Sequence, residues 1–214
     1  MITLYLTRHA KSTRNYYNEN TNLNINDSIF RDCALCPQGI ESVIKNRDKL
    51  QSKIGHIDVR MTSPMKRCIQ TTLATYETKP QRIHPIHVLP LLTEFGEGYE
   101  SMGRTMNEIC TDPDIFEYKH FPALEFERFF SEGMSHKINA MSNQTWTNVN
   151  FVMDDSRITK FIKLLKEKFI GKRIHAFTHH GFIKRLTGYD ADNYQTICVL
   201  MDTKHEVLSW KLVM

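Results

Sequence analysis

No apolar run in this chain approaches the ~18 residues that a membrane-crossing helix needs, so no membrane partner is expected. The first residues lack a charged segment followed by an apolar stretch, which argues against a secretory signal and for a cytoplasmic protein. Cysteine is scarce: five residues, an odd number and dispersed, as suits reduced thiols rather than a disulfide framework. Cys33 and Cys36 have redox or zinc spacing, but no second Cys pair accompanies them, so buried thiols are the reading and no metal is expected. Charge of either sign is not in strong excess. A formal net charge of +4 over 214 residues favours an anionic substrate but is too small and scattered for nucleic acid. Internal repeats are absent. With 41% hydrophobic and 24% charged residues, the composition is that of an ordinary globular chain, expected to form a single domain over residues 1–214.

What is present is concentrated at three points. Ile2-Thr3-Leu4-Tyr5-Leu6-Thr7, a strand-like run, opens onto Arg8-His9-Ala10-Lys11-Ser12, with Asn15 just behind. Val59-Arg60-Met61-Thr62 stops at Ser63-Pro64. There Ser63 is the expected N-cap, and Met65, Ile69, Leu73 and Tyr76 recur at helical spacing. Arg67 then falls in the first turn, near the helix's positive end. Arg173-Ile174-His175-Ala176-Phe177-Thr178 gives way to His179-His180-Gly181 and, after the glycine, to another helix. Ligands of open α/β sheets bind outside the carboxyl ends of the strands, and helix N-termini favour phosphate. The three junctions therefore predict a phosphate pocket built from Arg8, His9, Arg67 and His179.

Between these points, Asn15 to Asp32 reads as a polar loop beside the site. Pro37 to Ile54 reads as a helix with Ile40, Val43, Ile44, Leu50 and Ile54 on one face, and Ile86 to Leu92 as a strand interrupted or ended near Pro90. Residues 95–150 break the α/β rhythm and read as an inserted lid or cap. Asp154-Asp155-Ser156 cap a helix striped by Ile158, Phe161, Ile162, Leu165 and Phe169, and Thr196–Asp202 and Glu206–Val213 close the chain as strands. Ten histidines are present. His56, His84, His87, His120, His136, His175 and His205 are taken as surface or hydrogen-bonded core residues. His9, His179 and His180 lack the HxxxH or HxH spacing that puts metal ligands on one face.

Leu6-Thr7-Arg8-His9 with Asn15 resembles the opening motif of the histidine phosphatase superfamily, also called phosphoglycerate-mutase-like. Leu35-Cys36-Pro37-Gln38-Gly39 resembles its second signature, with Cys36 in place of Thr. Ser63-Pro64-Met65-Lys66-Arg67 with Gln70-Thr71-Thr72 is similar to the third, and Thr178-His179-His180-Gly181 to the fourth. Ala10 and His180 stand where the family usually has Gly. The resemblance implies a three-layer α/β/α sandwich with a mostly parallel central sheet, no cofactor, and phosphoryl transfer. His9 would be the phosphorylated nucleophile, His179 a partner in catalysis, and Arg8, Arg67, Asn15, Ser12 and His180 the phosphate-binding set. Glu94, in Leu92-Thr93-Glu94, maps to the general acid, with Glu97 as the fallback. Tyr99, Arg104 and Lys119 of the insertion are candidates for substrate contact or plain solvated loop residues.

The implied reaction is hydrolysis of a small phosphomonoester. Three alternatives stay open: a protein phosphatase acting on a phosphohistidine or phosphotyrosine phosphoprotein, a phosphoglycerate mutase, and a non-catalytic phosphate-binding scaffold. Phe95-Gly96-Glu97-Gly98 stands where mutases carry a basic run, which disfavours the mutase. The insertion and Glu94 favour ester substrates over phosphohistidine.

Overall fold

Side chains alternate across a strand with period two, and β1 (Ile2–Arg8) uses both of its faces. Ile2, Leu4 and Leu6 enter one apolar cluster, while Tyr5 enters a second on the opposite side. Both faces must therefore be covered, and helices cover them. The structure, a computed structural model, describes residues 1–21, 28–77, 85–105, 108–109, 111–116, 124–125, 153–202 and 207–214.

After β1 come α1 (Thr13–Asn20), α2 (Pro37–Ile54), β2 (Val59–Thr62), α3 (Lys66–Tyr76), β3 (Ile86–Val88) and β4 (Leu124–Glu125). Then follow α4 (Ser156–Lys168), β5 (Arg173–Thr178), α5 (His180–Thr187), β6 (Thr196–Met201) and β7 (Val207–Leu212). Phe161 and Leu165 of α4 and Phe182, Ile183 and Leu186 of α5 pack on the Leu4 side. Val43, Leu50 and Ile54 of α2 and Ala74 of α3 pack on the Tyr5 side. The result is a three-layer α/β/α sandwich.

Among the described residues, one sheet runs in the order β4-β3-β2-β5-β1-β6-β7. It is parallel from β4 to β1, and β6 runs antiparallel to β1 and to β7. The three strands that lead into Arg8-His9, Arg67 and His179 are thus direct neighbours, β2-β5-β1, with Arg8 level with Thr178 and Thr62 level with Phe177. Their carboxyl ends open side by side on one edge.

Several local expectations change. The segment Asn15 to Asp32 is not all loop: α1 lies in it, started by a reciprocal cap between Ser12 and Asn15. None of its residues is buried, so no apolar stripe announces it. Ser63 is not the N-cap of α3. That helix starts at Lys66 after Met65, and the Lys66 N–H donates to Asp32 Oδ1 at 2.7 Å, a carboxylate supplied from elsewhere in the chain. α5 starts at His180, before rather than after Gly181. Of the two endings open for the Ile86 strand, it stops at Val88 ahead of Pro90, and Pro90–Leu92 forms a 3-10 turn. Ile44 is half exposed on the outer side of α2. Within the inserted segment, β4 extends the sheet beside β3, and most of residues 95–150, on which the lid or cap expectation falls, lie outside the described residues. No helix among the described residues is long and apolar enough to cross a membrane.

Candidate active site

His9 follows β1 directly, and its N–H donates to Thr178 O at 2.9 Å, which ties it to the end of β5. Its ring Nδ1 lies 2.7 Å from Ala10 O. A carbonyl can only accept, so Nδ1 carries the proton and Nε2 keeps its lone pair. That Nε2 accepts from Arg67 Nε at 3.2 Å. Burial first, then the Arg67 and Arg8 charges, hold the imidazolium well below the ordinary histidine range, so the ring stays neutral and nucleophilic.

Arg67, in the first turn of α3, also donates from Nη1 to Glu100 O at 2.9 Å. Arg8 donates from Nη1 to Ala191 O at 2.8 Å, while its Nε is buried without a partner. Desolvation lowers the Arg8 pKa, opposed by the nearby Glu94 carboxylate.

His179 is fully buried at the end of β5. Its ring meets that of His9 edge-on, with centroids 5.2 Å apart. Its Nε2 lies 2.9 Å from Ser63 Oγ and 3.3 Å from Cys68 Sγ. Burial, then Arg67 and His9, keep it neutral as well. It stands behind His9 and is not among the side chains that line the cavity.

That cavity, about 220 Å³, is lined by Arg8, His9, Ser12, Arg14, Asn15 and Arg67 on one side, and on the other by Glu94, Phe95, Glu100, Ser101 and His180, with Cys33 between. Glu94 is held by two N–H donors: Oε1 accepts from Phe95 N and Gly181 N, each at 2.9 Å. The second bond explains the glycine, because a Cβ on Gly181 would stand 2.6 Å from Glu94 Oε1. The loop before Glu94 is fixed by Arg157 of α4, fully buried, whose Nη1 donates to Thr93 O and Thr93 Oγ1 at 2.9 and 2.7 Å and whose Nη2 donates to Glu94 O at 3.1 Å. Desolvation pulls the Arg157 pKa down to about 10. Glu97 does not line the cavity.

Asn15 uses its Oδ1 on the N–H and hydroxyl of Ser12, at 3.1 and 2.8 Å, which leaves its amide nitrogen as the group it can present. His180 reaches the rim, its Nε2 2.8 Å from Asp190 Oδ1. The remaining motif residues hold the pieces together. Thr71 Oγ1 accepts from Ala10 N at 3.1 Å, Gln70 Oε1 accepts from Leu35 N at 2.8 Å, and a Cβ on Gly39 would meet Lys11 O at 2.1 Å. The second and third motifs are thus packed against the backbone of the first.

Of the insertion candidates, Tyr99 is exposed. Arg104 is taken by Asp32 and Asp112 at 2.7 and 2.5 Å, a structural pairing away from the cavity. Lys119 lies outside the described residues. Sequence reading did not single out Arg14, Glu100, Ser101 and Arg157. Arg14 hid in a stretch taken for loop, although its place between Ser12 and Asn15 was a usable signal. Arg157 sits in an otherwise apolar stripe with nothing in one dimension to say what it touches. Among the described residues no group of His, Cys, Asp and Glu is arranged to hold a metal ion, and Cys33, Cys36, Cys68 and Cys198 are buried free thiols.

Comparison with known proteins places the fold. The family described as histidine phosphatase superfamily (branch 1) matches residues 4–197. An α-ribazole phosphatase from Shigella flexneri superposes with a TM-score of 0.57 at 19% identity, covering 99% of this chain and 96% of that one. A putative α-ribazole-5'-P phosphatase from Escherichia coli gives 0.57 at 18%, covering 99% and 94%. A phosphoserine phosphatase mutant from Entamoeba histolytica, in complex with phosphoserine, gives 0.53 at 15%, covering 100% and 96%. At these identities the likeness concerns the fold. No curated protein matches the chain. With four motifs converging on one sheet edge and a family match over most of its length, the chain belongs to branch 1 of the histidine phosphatase superfamily.

Proposed function

We propose that this protein hydrolyses phosphomonoesters through a phosphohistidine on His9. One observation carries the reading: the unprotonated Nε2 of His9 meets Arg67 Nε at 3.2 Å in a cavity also lined by Arg8 and Glu94. A neutral imidazole attacks phosphorus without a separate base. His9 Nε2 bonds to phosphorus as the ester P–O bond breaks, and Glu94 gives its proton to the departing oxygen. Water then attacks the phosphohistidine, the P–N bond breaks, Glu94 takes the water's proton, and inorganic phosphate leaves. Arg8 and Arg67 grip the non-bridging oxygens with forked donors. Losing one such preorganised donor typically removes about 3–4 kcal/mol of transition-state stabilisation.

Asn15, positioned by Ser12, adds its amide nitrogen as a donor, and His180 contacts the phosphoryl group or its leaving group from the rim. His179 acts through His9, packing edge-on against its ring. The phosphatase neighbours from Shigella, Escherichia and Entamoeba support a hydrolase over a mutase, as does the acidic segment around Glu97.

The test is to trap the intermediate. Protein quenched during turnover of a labelled aryl phosphate should carry label that is stable in alkali and lost in acid, as a phosphoramidate is, and His9→Asn should carry none. Label on another residue, or turnover surviving in His9→Asn, ends this reading. Interconversion of phosphoglycerates that requires a bisphosphate primer would replace it with a mutase.

A further inference from the structure

The cavity holds more polar machinery than a phosphoryl group needs. Arg14, on α1, is a third guanidinium lining it, and its Nη2 lies 3.3 Å from Glu100 Oε1. Buried polar atoms without a hydrogen-bond partner gather here: Arg14 Nε, Glu100 Oε2 and Ser101 Oγ, beside Arg8 Nε. Unpaired buried polar atoms are costly, and a set of them around one cavity points to a ligand that completes them. Gly96 and Gly98 make room for these side chains, since a Cβ would stand 2.6 Å from Ser101 Oγ at the first and 2.1 Å from Glu100 Oε2 at the second.

Charge narrows the ligand. Among the described lining residues the guanidiniums of Arg8, Arg14 and Arg67 face the Glu100 carboxylate, His9 is neutral, and in the reaction proposed above Glu94 delivers a proton to the leaving oxygen rather than a charge. The surplus is two positive charges, which a phosphoryl dianion cancels. Nothing is left to neutralise a charged leaving group. At about 220 Å³ the cavity is also smaller than the roughly 300–1,000 Å³ of sites for drug-sized ligands.

Resting on the hydrolase reading above, we infer that Arg14, Glu100 and Ser101 form a leaving-group subsite that selects small, net-neutral alcohols bearing both a donor and an acceptor group beside the ester oxygen. A polyol or a zwitterionic hydroxy-amino acid satisfies this chemistry: its donor meets Glu100 and its acceptor meets Arg14. An anionic leaving group would face Glu100, and a cationic one Arg14.

The experiment compares kcat/KM for glycerol phosphate, phosphoserine, phosphoethanolamine and phosphoglycerate, each as a ratio to that for para-nitrophenyl phosphate, in the wild type, Arg14→Gln and Glu100→Gln. In the wild type the better of the first two, with net-neutral leaving groups, should exceed both the cationic and the anionic ester by about tenfold or more, the effect of one unscreened charge at close range. Which of the two wins identifies polyol or zwitterion. Arg14→Gln should shift the profile toward phosphoethanolamine and Glu100→Gln toward phosphoglycerate, each by about tenfold. Both variants are isoelectronic or shortened polar replacements at part-exposed sites, and a thermal melt checks that they fold. Aryl phosphate turnover with a charge profile that neither substitution moves, or a wild-type preference for phosphoglycerate, overturns the subsite alone. Failure to turn over any ester, the aryl phosphate included, overturns the hydrolase reading and the subsite with it.

Discussion

His9, just past the end of β1, and His175, on the neighbouring parallel β5, are both buried and both held neutral by desolvation, yet they are built for opposite ends. His175 has spent both ring nitrogens: Nε2 faces Thr7 Oγ1 at 2.7 Å and Nδ1 faces the Tyr76 hydroxyl at 2.5 Å. Thr7 Oγ1 passes the chain on to Thr196 Oγ1 at 2.7 Å. Burial, with Arg60 as a smaller cause, takes the His175 pKa down to about 3. His9 has spent only Nδ1, and its remaining lone pair meets a guanidinium at the wall of a cavity. A depressed pKa therefore does not by itself mark a catalyst; a lone pair that faces guanidiniums at the wall of a cavity does. A closed polar network rigidifies a core, whereas an open one waits for a ligand.

The largest expected effect separates the two rings most sharply. His9→Asn should lower kcat/KM for para-nitrophenyl phosphate by about 10⁴-fold or more, as loss of a nucleophile does, while its unfolding midpoint in denaturant changes little. His175→Phe should do the reverse, keeping activity per folded molecule near that of the wild type. If His175→Phe were the inactive one, the comparison would be inverted.

Glu94→Gln comes next and tests whether the open network includes its acid. For an alkyl phosphate, whose leaving oxygen must be protonated, kcat should fall about 10²–10⁴-fold. For para-nitrophenyl phosphate, which leaves without help, the loss should be far smaller. Equal losses would remove Glu94 as the proton donor.

The difference between these clusters was partly visible in one dimension. Apolar runs ending in Arg8, Ser63 and Thr178, each before a helix, are local signals, and the rule that ligands sit at strand carboxyl ends turned them into a shared edge. The helix Pro37–Ile54 was legible because its stripe is long and its N1 is proline. α1 was not, since its start depends on a Ser12–Asn15 cap and its residues are all at least partly exposed. Ser63 was misassigned as a cap because the donor that Lys66 needs an acceptor for is met by Asp32, a partner 34 residues away. In sequence His175 reads as a surface or hydrogen-bonded core histidine, and only the fold shows that it is buried and that Thr7 and Tyr76 complete it. That His179 backs His9 rather than lining the cavity depends on a rotamer, which no motif encodes.

Arg157→Met perturbs the scaffold between the clusters. The guanidinium holds Thr93 and Glu94 by three donors at 2.7–3.1 Å and stacks over Phe95 with its carbon 3.8 Å from the ring centre. Hydrogen bonds to a charged group contribute about 1.5–3 kcal/mol, so stability should fall by about 3 kcal/mol. Because Glu94 is then less firmly placed, kcat for alkyl phosphates should drop more than KM rises. Unchanged kcat per folded molecule would confine Arg157 to a structural role.

The smallest effect is a slope. His9, His175 and His179 all have folded pKa values below the unfolded value of about 6.5. Below that value the unfolded chain binds protons that the folded chain refuses, so stability is complete above about pH 6.5 and declines as pH falls. Each ring contributes at most about 1.4 kcal/mol per pH unit. His175→Phe leaves Thr7 and the Tyr76 hydroxyl without their partner, which at pH 7 should destabilise by about 1–3 kcal/mol. It also deletes one of the three protonation sites, so the variant loses stability less steeply on acidification than the wild type does. The gap between them should therefore narrow by up to about 1.4 kcal/mol per unit below pH 6.5, read from urea midpoints between pH 7 and pH 5. A gap that stays constant across that range would mean His175 takes up its proton alike in the folded and the unfolded chain, and its contrast with His9 would then need another physical basis than a sealed, neutral ring.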